Sequence, residues 1–166
     1  MFQKRSFCSR YNAHVLSVRN YHPGDFQRLL EIDQSCFVAG IAYSEEEMRY
    51  FLAMPSAISL VGVVGQKILG FIIADRYRSS RSARSMGKII TIDVAPEAQK
   101  TGLGALLLSS AETELKQAGC DYVSLEVAVD NLPALSFYKK HGYSVLKVLP
   151  RYYLDSIDGL LMGKKL

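Results

Sequence analysis

Residues 94–104 read VAPEAQKTGLG and join two different sequence periods. Residues 88–94 form a β-branched run that predicts a strand, and the apolar residues after the glycines follow the 3.6-residue spacing of a helix. A glycine-containing loop between a strand and a helix presents unpaired backbone N–H groups and the positive end of the helix dipole. The stretch therefore predicts an anion-binding loop, in which Gly102 and Gly104 allow close backbone approach and Lys100 adds positive charge.

Two nucleotide-binding motifs do not fit this loop. A Walker A motif requires Gly-Lys followed by Ser or Thr, whereas Lys100 and Thr101 precede the glycines. A dinucleotide fingerprint requires GxGxxG directly after the strand, but Leu107 stands at the third glycine position and several residues separate Val94 from Gly102. An anion site of another kind and simple turn chemistry before a helix are the two remaining interpretations.

The other elements follow from periodicity and capping signals. The pattern predicts strands at residues 15–20, 58–64, 68–76, 88–94, 122–129, 143–149 and 160–166, and helices at 26–37, 45–52, 103–118 and 132–141. Asp25, Ser44 and Asn131 are expected N-caps, and glycines follow the last two helices. The helix between the strands at 88–94 and 122–129 is long enough for a right-handed crossover, which makes these strands parallel neighbours. The sequence thus predicts an α+β fold with a mixed, mostly antiparallel seven-stranded sheet and about four helices.

The strand at residues 122–129 alternates strictly between two faces. Its aliphatic row comprises Val123, Leu125, Val127 and Val129. Glu126 therefore points to the other side. Without further information, a solvated strand carboxylate is the simplest interpretation of Glu126.

Composition favours one packed domain. The chain has 166 residues, of which 49% are hydrophobic and 22% charged, with 5 prolines and 12 glycines. We expect a single domain over residues 15–166 after an N-terminal extension at 1–14. No apolar run approaches the ~18 residues of a membrane span, so no membrane partner is expected. A net charge of +4 is too small and too dispersed to indicate nucleic-acid binding.

Cysteine usage bears on compartment and metals. Cys8, Cys36 and Cys120 form no CxxC pair, and no histidine lies at zinc-ligand spacing from them. This favours a reducing compartment, which we take as the cytoplasm, and no metal site. The first 24 residues carry four basic residues and no acid, a composition that a transit peptide also shows.

Three motifs in sequence order resemble those of the GNAT N-acetyltransferase superfamily. QKTGLG at 99–104, after an IDVAP strand end, resembles the Q/R-x-x-G-x-G/A acetyl-CoA loop. Leu125-Glu126-Val127 with Asn131, followed by FYKKHGY at 137–143, resembles the family's L-E-V-x-x-x-N and A-x-x-x-Y-x-x-x-G-F block. PRYY at 150–153 is similar to the tail of the RimI-like subgroup, the ribosomal-protein alanine N-acetyltransferases.

The resemblance implies direct transfer of an acetyl group from acetyl-CoA to an α-amine, such as the N-terminus of a ribosomal protein. It assigns acetyl-CoA contacts to Ile92, Asp93, Val94, Gln99, Lys100, Thr101, Gly102, Leu103, Gly104, Ala105 and Asn131. Glu126 matches the general base and Tyr138 the general acid, since a phenol of pKa ~10 can protonate a thiolate whose thiol has a pKa of ~8.5. An ordinary half-buried aromatic is the alternative for Tyr138.

The same resemblance places the acceptor between the loop after the first helix and the PRYY segment. Tyr43, Tyr152 and Tyr153 are the expected substrate contacts, with packing at a turn edge as the alternative for the adjacent pair.

Four residues depart from the family pattern. Asp93 replaces a more usual small apolar residue, Lys88 precedes the apolar part of its strand, and Lys100 and Thr101 stand where the family often has Arg or Gln.

Residues 77–87 are predicted to be a long solvated loop in which Arg78, Arg81 and Arg84 alternate with serines. Docking of RNA is the alternative for this loop, and the chain would then be a CoA-binding or ribosome-docking module without activity. Within enzymes, the alternative is a GNAT that acts on a small amine or a lysine side chain.

Overall fold

The computed structural model describes residues 15–38, 40–78 and 85–166. Within them, seven strands form one sheet: β1 (Leu16–Asn20), β2 (Ala57–Val64), β3 (Lys67–Arg78), β4 (Ser85–Val94), β5 (Cys120–Ala128), β6 (Ser144–Tyr153) and β7 (Ile157–Lys165). The α-helices are α1 (Phe26–Cys36), α2 (Glu45–Ala53), α3 (Leu103–Gln117) and α4 (Leu132–Lys140). The α+β class and the order of elements confirm the prediction. The predicted extension at 1–14, with Cys8, and the loop arginines Arg81 and Arg84 lie outside the described residues.

The strands follow the order β1-β2-β3-β4-β5-β7-β6 across the sheet. β4 and β5 run parallel, whereas the other neighbouring pairs are antiparallel. α3 lies between β4 and β5 in the chain and provides the predicted crossover. β7 inserts between β5 and β6, so β6 is an edge strand. The mixed, mostly antiparallel sheet is therefore confirmed.

Side chains on the two faces of the sheet belong to separate hydrophobic clusters. On β3, Ile72 packs in the cluster that contains the α3 leucines, whereas Phe71 and Ile73 pack in the cluster that contains α1 and α2 side chains. Because a strand alternates, these clusters lie on opposite faces. All three β3 side chains are fully buried, which contributes roughly 1.5–3 kcal/mol for each. The sheet is thus covered by α3 on one face and by α1 and α2 on the other.

Capping signals act as predicted at α2 and differently at α1. Ser44 Oγ accepts a hydrogen bond from the Glu47 N–H, and the Glu47 carboxylate accepts from the Ser44 N–H at 2.8 Å, which completes a capping box. Asp25 stands at the start of α1, but its carboxylate accepts from the His22 N–H at 2.8 Å and pairs with Arg19 at 2.7 Å. The Asp25 carboxylate therefore binds Arg19 and the His22 N–H and does not cap the amides of α1.

The hairpin of β3 and β4 extends further than the sequence predicts. The predicted loop over residues 77–87 is wrong at both ends, because Tyr77 pairs with Met86 and Arg78 pairs with Ser85. Ladder hydrogen bonds join backbone groups, so polar side chains at an exposed hairpin end do not prevent pairing.

The hairpin of β6 and β7 is also longer than predicted. The sequence leaves residues 150–159 as a loop, whereas β6 runs through Pro150 to Tyr153. An edge strand tolerates proline, since one side of its backbone has no ladder partner. Pairing is irregular between Leu149 and Tyr153, and Arg151 has a φ of 51°.

One predicted core residue lies at the surface. Val129 extends the aliphatic row of β5 in the sequence, but it is 37% exposed. The strand ends at Ala128, and the Val129 N–H donates to the carbonyl of Asp158 at the start of β7. This backbone contact comes from a residue distant in sequence, so alternation alone extends the strand too far.

α3 is the longest helix of the described part, with 15 residues. Across residues 15–38, 40–78 and 85–166, no helix is both long and apolar enough to cross a membrane. Over the same ranges, no three His, Cys, Asp or Glu side chains gather closely enough to hold a metal ion.

Candidate active site

β4 and β5 diverge part of the way along their length. Their parallel pairing comprises Ser85↔Cys120, Gly87↔Val123 and Lys88↔Ser124. β4 continues to Val94 and β5 to Ala128, and these later residues of the described strands do not pair with each other. A cavity lies where the strands separate, lined by residues 89–92 of β4 and 125–128 of β5.

The cavity has a volume of about 340 Å³, within the ~300 to 1,000 Å³ typical of small-molecule sites. The end of α1 and the segment after it contribute Cys36, Phe37, Val38, Ile41 and Tyr43. The opposite wall contributes Asp130, Asn131, Ala134, Tyr138 and Tyr153. Both predicted catalytic residues, Glu126 and Tyr138, therefore line one space.

A β-bulge shapes the β4 wall of this cavity. Thr91 pairs with Ile73 and Ile89 pairs with Ala74, which leaves Ile90 as the extra residue on β4. The Ile90 carbonyl accepts a hydrogen bond from the Tyr43 hydroxyl at 3.4 Å. Bulges bend a strand and redirect its side chains. Here the bulge ties β4 to the segment that follows α1.

Glu126 projects from β5 on the side that its alternation predicts. Its Oε1 lies 2.9 Å from Lys88 Nζ, and 18% of its side chain is exposed. Lys88 is the last residue of β4 that pairs with β5. The ion pair therefore lies where the two strands begin to diverge, and it orients the Glu126 carboxylate beside the cavity.

Tyr138 is more buried than an ordinary surface aromatic. It is 8% exposed, and its ring makes edge-to-face contacts with Phe137 at 5.4 Å and with Tyr143 at 5.6 Å. Burial raises the pKa of Tyr138, and the charge of Asp93 adds to the increase. The hydroxyl therefore stays protonated at neutral pH, which suits a proton donor. Tyr138 is at once a core aromatic and part of the cavity wall.

The loop before α3 has the backbone geometry of an anion site. Lys100 has a φ of 61° and Gly102 a φ of 97°, and left-handed backbone at Gly102 is sterically cheap only for glycine. The Leu106 N–H donates to the Gly102 carbonyl as the helix begins. The amides of the first turn lack carbonyl partners within the helix, and with the dipole of a 15-residue helix they favour an anion.

Several side chains of this loop stabilise the loop itself. Gln99 Nε2 donates to the Val94 carbonyl at 3.2 Å, and Thr101 Oγ1 donates to a carbonyl three residues earlier at 2.6 Å. Leu103 is fully buried in the core, so its side chain packs rather than binds. Lys100 is exposed and adds positive charge beside the free amides.

The three β4 residues predicted to contact the cosubstrate face different ways. Ile92 lines the cavity. The Val94 carbonyl accepts from Gln99 and from Cys36 Sγ, the latter at 3.3 Å. Asp93 is 1% exposed and is not part of the cavity wall. Its side chain lies instead on the α1 side of the sheet, beside Cys36.

Asn131 caps α4 as predicted, because its Oδ1 accepts from the Ala134 N–H at 3.2 Å. The same residue lines the cavity. Its amide group therefore lies at the boundary between the start of α4 and the predicted cosubstrate space.

A groove lies beside the cavity, between the segment after α1 and the turn of the β6–β7 hairpin. Tyr43 and Tyr153 line both spaces, and Tyr152 lines the groove. Burial raises the pKa of Tyr153 to about 12, and the charge of Glu126 contributes. The structure thus brings the three tyrosines predicted as substrate contacts to one place, close to Glu126.

Cys36, Phe37 and Ile41 all line the cavity. The resemblance places the acceptor beside the loop at residues 37–44, which contains Phe37 and Ile41, whereas the sequence does not single out Cys36. Burial raises the pKa of the Cys36 thiol to about 11, which disfavours a thiolate nucleophile. Cys120 opens β5 at the end remote from the cavity, and burial raises its pKa too.

Comparison with known proteins identifies a family whose members are similar to this chain. The model of the Acetyltransferase (GNAT) family matches residues 26–143. The chain is 30% identical over 149 residues to an uncharacterised N-acetyltransferase of Methanocaldococcus jannaschii, covering 89% of this chain and 90% of that protein. It is 29% identical over 150 residues to an N-alpha-acetyltransferase of Sulfurisphaera tokodaii, covering 84% and 90%.

Solved structures share the fold at lower identity. The ribosomal-protein-S18-alanine N-acetyltransferase of Escherichia coli superposes with a TM-score of 0.78 at 21% identity, covering 91% of this chain and 94% of that one. Arabidopsis thaliana NAA60, in a complex with acetyl-CoA, superposes with a TM-score of 0.79 at 21% identity, covering 92% and 99%.

The sheet that opens between β4 and β5, the anion loop before α3 and the family match define a class of acyltransferases. The chain belongs to the GNAT family of acetyltransferases. The family resemblance of the sequence is thereby confirmed.

Proposed function

We propose that this chain transfers an acetyl group from acetyl-CoA to the α-amine of a protein or peptide N-terminus. One arrangement supports the proposal most strongly. Glu126 and Tyr138 line a single cavity, which adjoins a groove lined by Tyr43, Tyr152 and Tyr153. The name of the relative from Sulfurisphaera tokodaii supports the choice of an α-amine.

The loop before α3 would hold the acetyl-CoA pyrophosphate. Its support is the left-handed Gly102, the exposed Lys100 and the amides of the first helical turn, which have no carbonyl partner within the helix. Ile92 and Asn131, which line the cavity, would contact the rest of the cosubstrate. The acetyl-CoA complex of the Arabidopsis neighbour supports the same ligand.

Acetyl transfer requires two proton movements. The amine nitrogen attacks the thioester carbon, so a C–N bond forms and the C–S bond breaks. Glu126 would accept the proton of the amine, directly or through water, and Tyr138 would donate a proton to the departing thiolate. The position of Tyr138 on the cavity wall supports this division. A phenol is protonated at neutral pH and can donate, although burial raises the pKa of Tyr138 and so makes it a weaker acid.

The finer assignments extend this proposal. A ribosomal-protein N-terminus is the substrate that the PRYY tail and the Escherichia coli neighbour favour. Residues 15–166 would form the single catalytic domain. The cytoplasm is the proposed location, since Cys36 and Cys120 are free thiols.

A panel of acceptors tests the proposal. N-terminal peptides, peptides with a blocked N-terminus and one lysine, and small amines are each incubated with acetyl-CoA. Thiol release gives the rate, and mass spectrometry locates the acetyl group. We expect fastest turnover on free N-terminal peptides, and a strong loss with Glu126→Gln. Faster turnover of small amines or blocked lysine peptides contradicts the assigned acceptor, and no turnover of any acceptor contradicts the enzymatic function.

A further inference from the structure

Two aspartates from distant parts of the chain meet inside the protein. Asp33 on α1 is 0% exposed and Asp93 on β4 is 1% exposed. Burial raises the pKa of Asp93, and the two carboxyl groups lie close enough that the charge of Asp33 adds to the increase. Asp33 Oδ1 and Asp93 Oδ2 are buried and have no hydrogen-bond partner among the described residues. These two oxygens can form a hydrogen bond with each other only when one of the carboxyl groups carries a proton.

The remaining carboxyl oxygens fix two parts of the site. Asp33 Oδ2 accepts from the Tyr43 N–H at 2.8 Å, and Asp93 Oδ1 accepts from Thr91 Oγ1 at 3.0 Å. Tyr43 lines both the cavity and the acceptor groove, and Thr91 lines the cavity. The pair therefore connects the wall on the acceptor side with the β4 wall.

The groups that face the pair are acidic or neutral. Cys36 on α1, Tyr43 in the following segment, Glu47 on α2 and Tyr138 on α4 interact with one or both carboxyls. No Lys, Arg or His of the described residues forms an ion pair with either aspartate. Two buried negative charges without a cation are very costly, so one proton held between the carboxyls is the economical state.

We propose that Asp33 and Asp93 form a proton-sharing clamp that positions Tyr43, and with it the acceptor side of the site, against β4. Both are positioning residues, because their side chains are buried outside the cavity. The expected effect on binding of the acceptor peptide rests on the proposed function, whereas the proton shared by the two aspartates does not. Asp93 stands at one of the positions where the sequence departs from its family pattern, which gives that departure a structural purpose.

The shared proton makes stability depend on pH in a defined direction. Burial raises the pKa of Asp33 to about 6 and holds the pKa of Asp93 well above its ordinary value. Both values lie above the ordinary ~4 of an unfolded chain. Folding therefore takes up protons above about pH 4, and the stability that this uptake confers is lost as the pH rises through the folded values.

Asp93→Asn tests the shared proton without any acceptor. Its amide can donate to Asp33 and has no proton to lose, so we expect its Tm to exceed that of the unaltered chain by more at pH 8 than at pH 5. Asp25→Asn is the matched control of opposite sign. Arg19 holds the pKa of Asp25 below its usual value, so that variant should lose stability at pH 7 and lose less at pH 3.

Carbon NMR of the unaltered chain provides a measurement that needs no variant. We expect two aspartate carboxyl carbons to titrate together, well above pH 5. In Asp93→Asn one of these two signals should disappear and the titration of the other should shift. If all aspartates titrate below pH 5, or if the Tm difference of Asp93→Asn does not grow with pH, the shared proton is wrong.

The positioning role is tested by comparing how Asp93 variants change KM for the peptide with how they change kcat. Asp93→Ala leaves Asp33 without its carboxyl partner, and we expect peptide KM to rise about tenfold, the equivalent of one lost hydrogen bond. KM for acetyl-CoA should change less than about twofold on the same scale, and Asp93→Asn should restore peptide KM. An unchanged peptide KM in folded Asp93→Ala, or an equal loss in Asp93→Asn, contradicts the clamp. If no peptide is acetylated, the proposed function fails while the stability and NMR results still judge the pair.

Discussion

The donor side and the acceptor side of the site are built by different means. The loop before α3 derives its chemistry from contiguous backbone, with a left-handed glycine and the amides of the first helical turn. The acceptor side depends on contacts between residues far apart in sequence, such as Lys88 with Glu126 and Asp33 with the Tyr43 N–H. Contiguous backbone geometry is encoded locally, whereas assembled side-chain contacts exist only after the sheet has formed. Side-chain substitutions should therefore harm the two sides very differently.

Removal of the carboxylate from the acceptor side should have the largest effect. Glu126→Gln eliminates the proposed proton acceptor while keeping nearly the same shape, and we expect kcat to fall ~100- to 10,000-fold. Rate should recover as rising pH deprotonates the amine without help. Thiol release measured from pH 6 to 10 checks both points. A near-normal rate across that range contradicts the role of Glu126.

Tyr138→Phe should lower kcat less than Glu126→Gln does. A thiolate is a good leaving group even without a proton donor, whereas an ammonium group cannot attack until a base has removed its proton. We expect a loss of ~100-fold in kcat with little change in acetyl-CoA affinity. Alkaline pH should not restore the rate, since the missing proton belongs to the leaving group. Recovery at pH 9 equal to that of Glu126→Gln shows that the two residues do not divide the proton transfers.

A side chain added at the start of α3 tests the donor side of the site. A Cβ at Gly104 would lie 3.6 Å from the Val94 side chain and 3.7 Å from Phe137, which is ordinary contact. Gly104→Val should therefore fold but obstruct approach to the backbone, and we expect Kd for acetyl-CoA to rise ~10- to 100-fold. Calorimetry measures this directly. Gly24→Val is the control, since nothing lies within 4 Å of its Cβ, and equal affinities in the two variants contradict the loop as the binding site.

Lys88→Met should have the smallest effect of the series. It removes the partner of Glu126 but retains an unbranched side chain, and we expect kcat for peptides to fall a few-fold, in line with the ~0.2–1 kcal/mol of a partly exposed ion pair. The loss should shrink at high salt, because salt screens the pair in the unaltered chain. A loss as large as that of Glu126→Gln assigns Lys88 a direct part in catalysis.

Sequence reasoning succeeded where information is local. Alternation placed Glu126 on the correct side of β5, and the cap residues Ser44 and Asn131 act as predicted. It failed where a partner outside the element intervenes: Arg19 on β1 pairs with Asp25 in place of the α1 amides, and Val129 is exposed beyond the end of β5. The bulge at Ile90 and the aspartate pair carry no local signal, because each depends on which strand or helix lies opposite.

The separation of β4 and β5 leaves a short seam between the two halves of the sheet. Among the described strands, these halves are hydrogen-bonded to each other only across Ser85–Lys88 and its partners. Gly87 lies in this seam, where a Cβ would meet Leu115 Cδ1 at 2.7 Å. α3 thus packs directly against the seam, and a side chain at position 87 would have to displace Leu115.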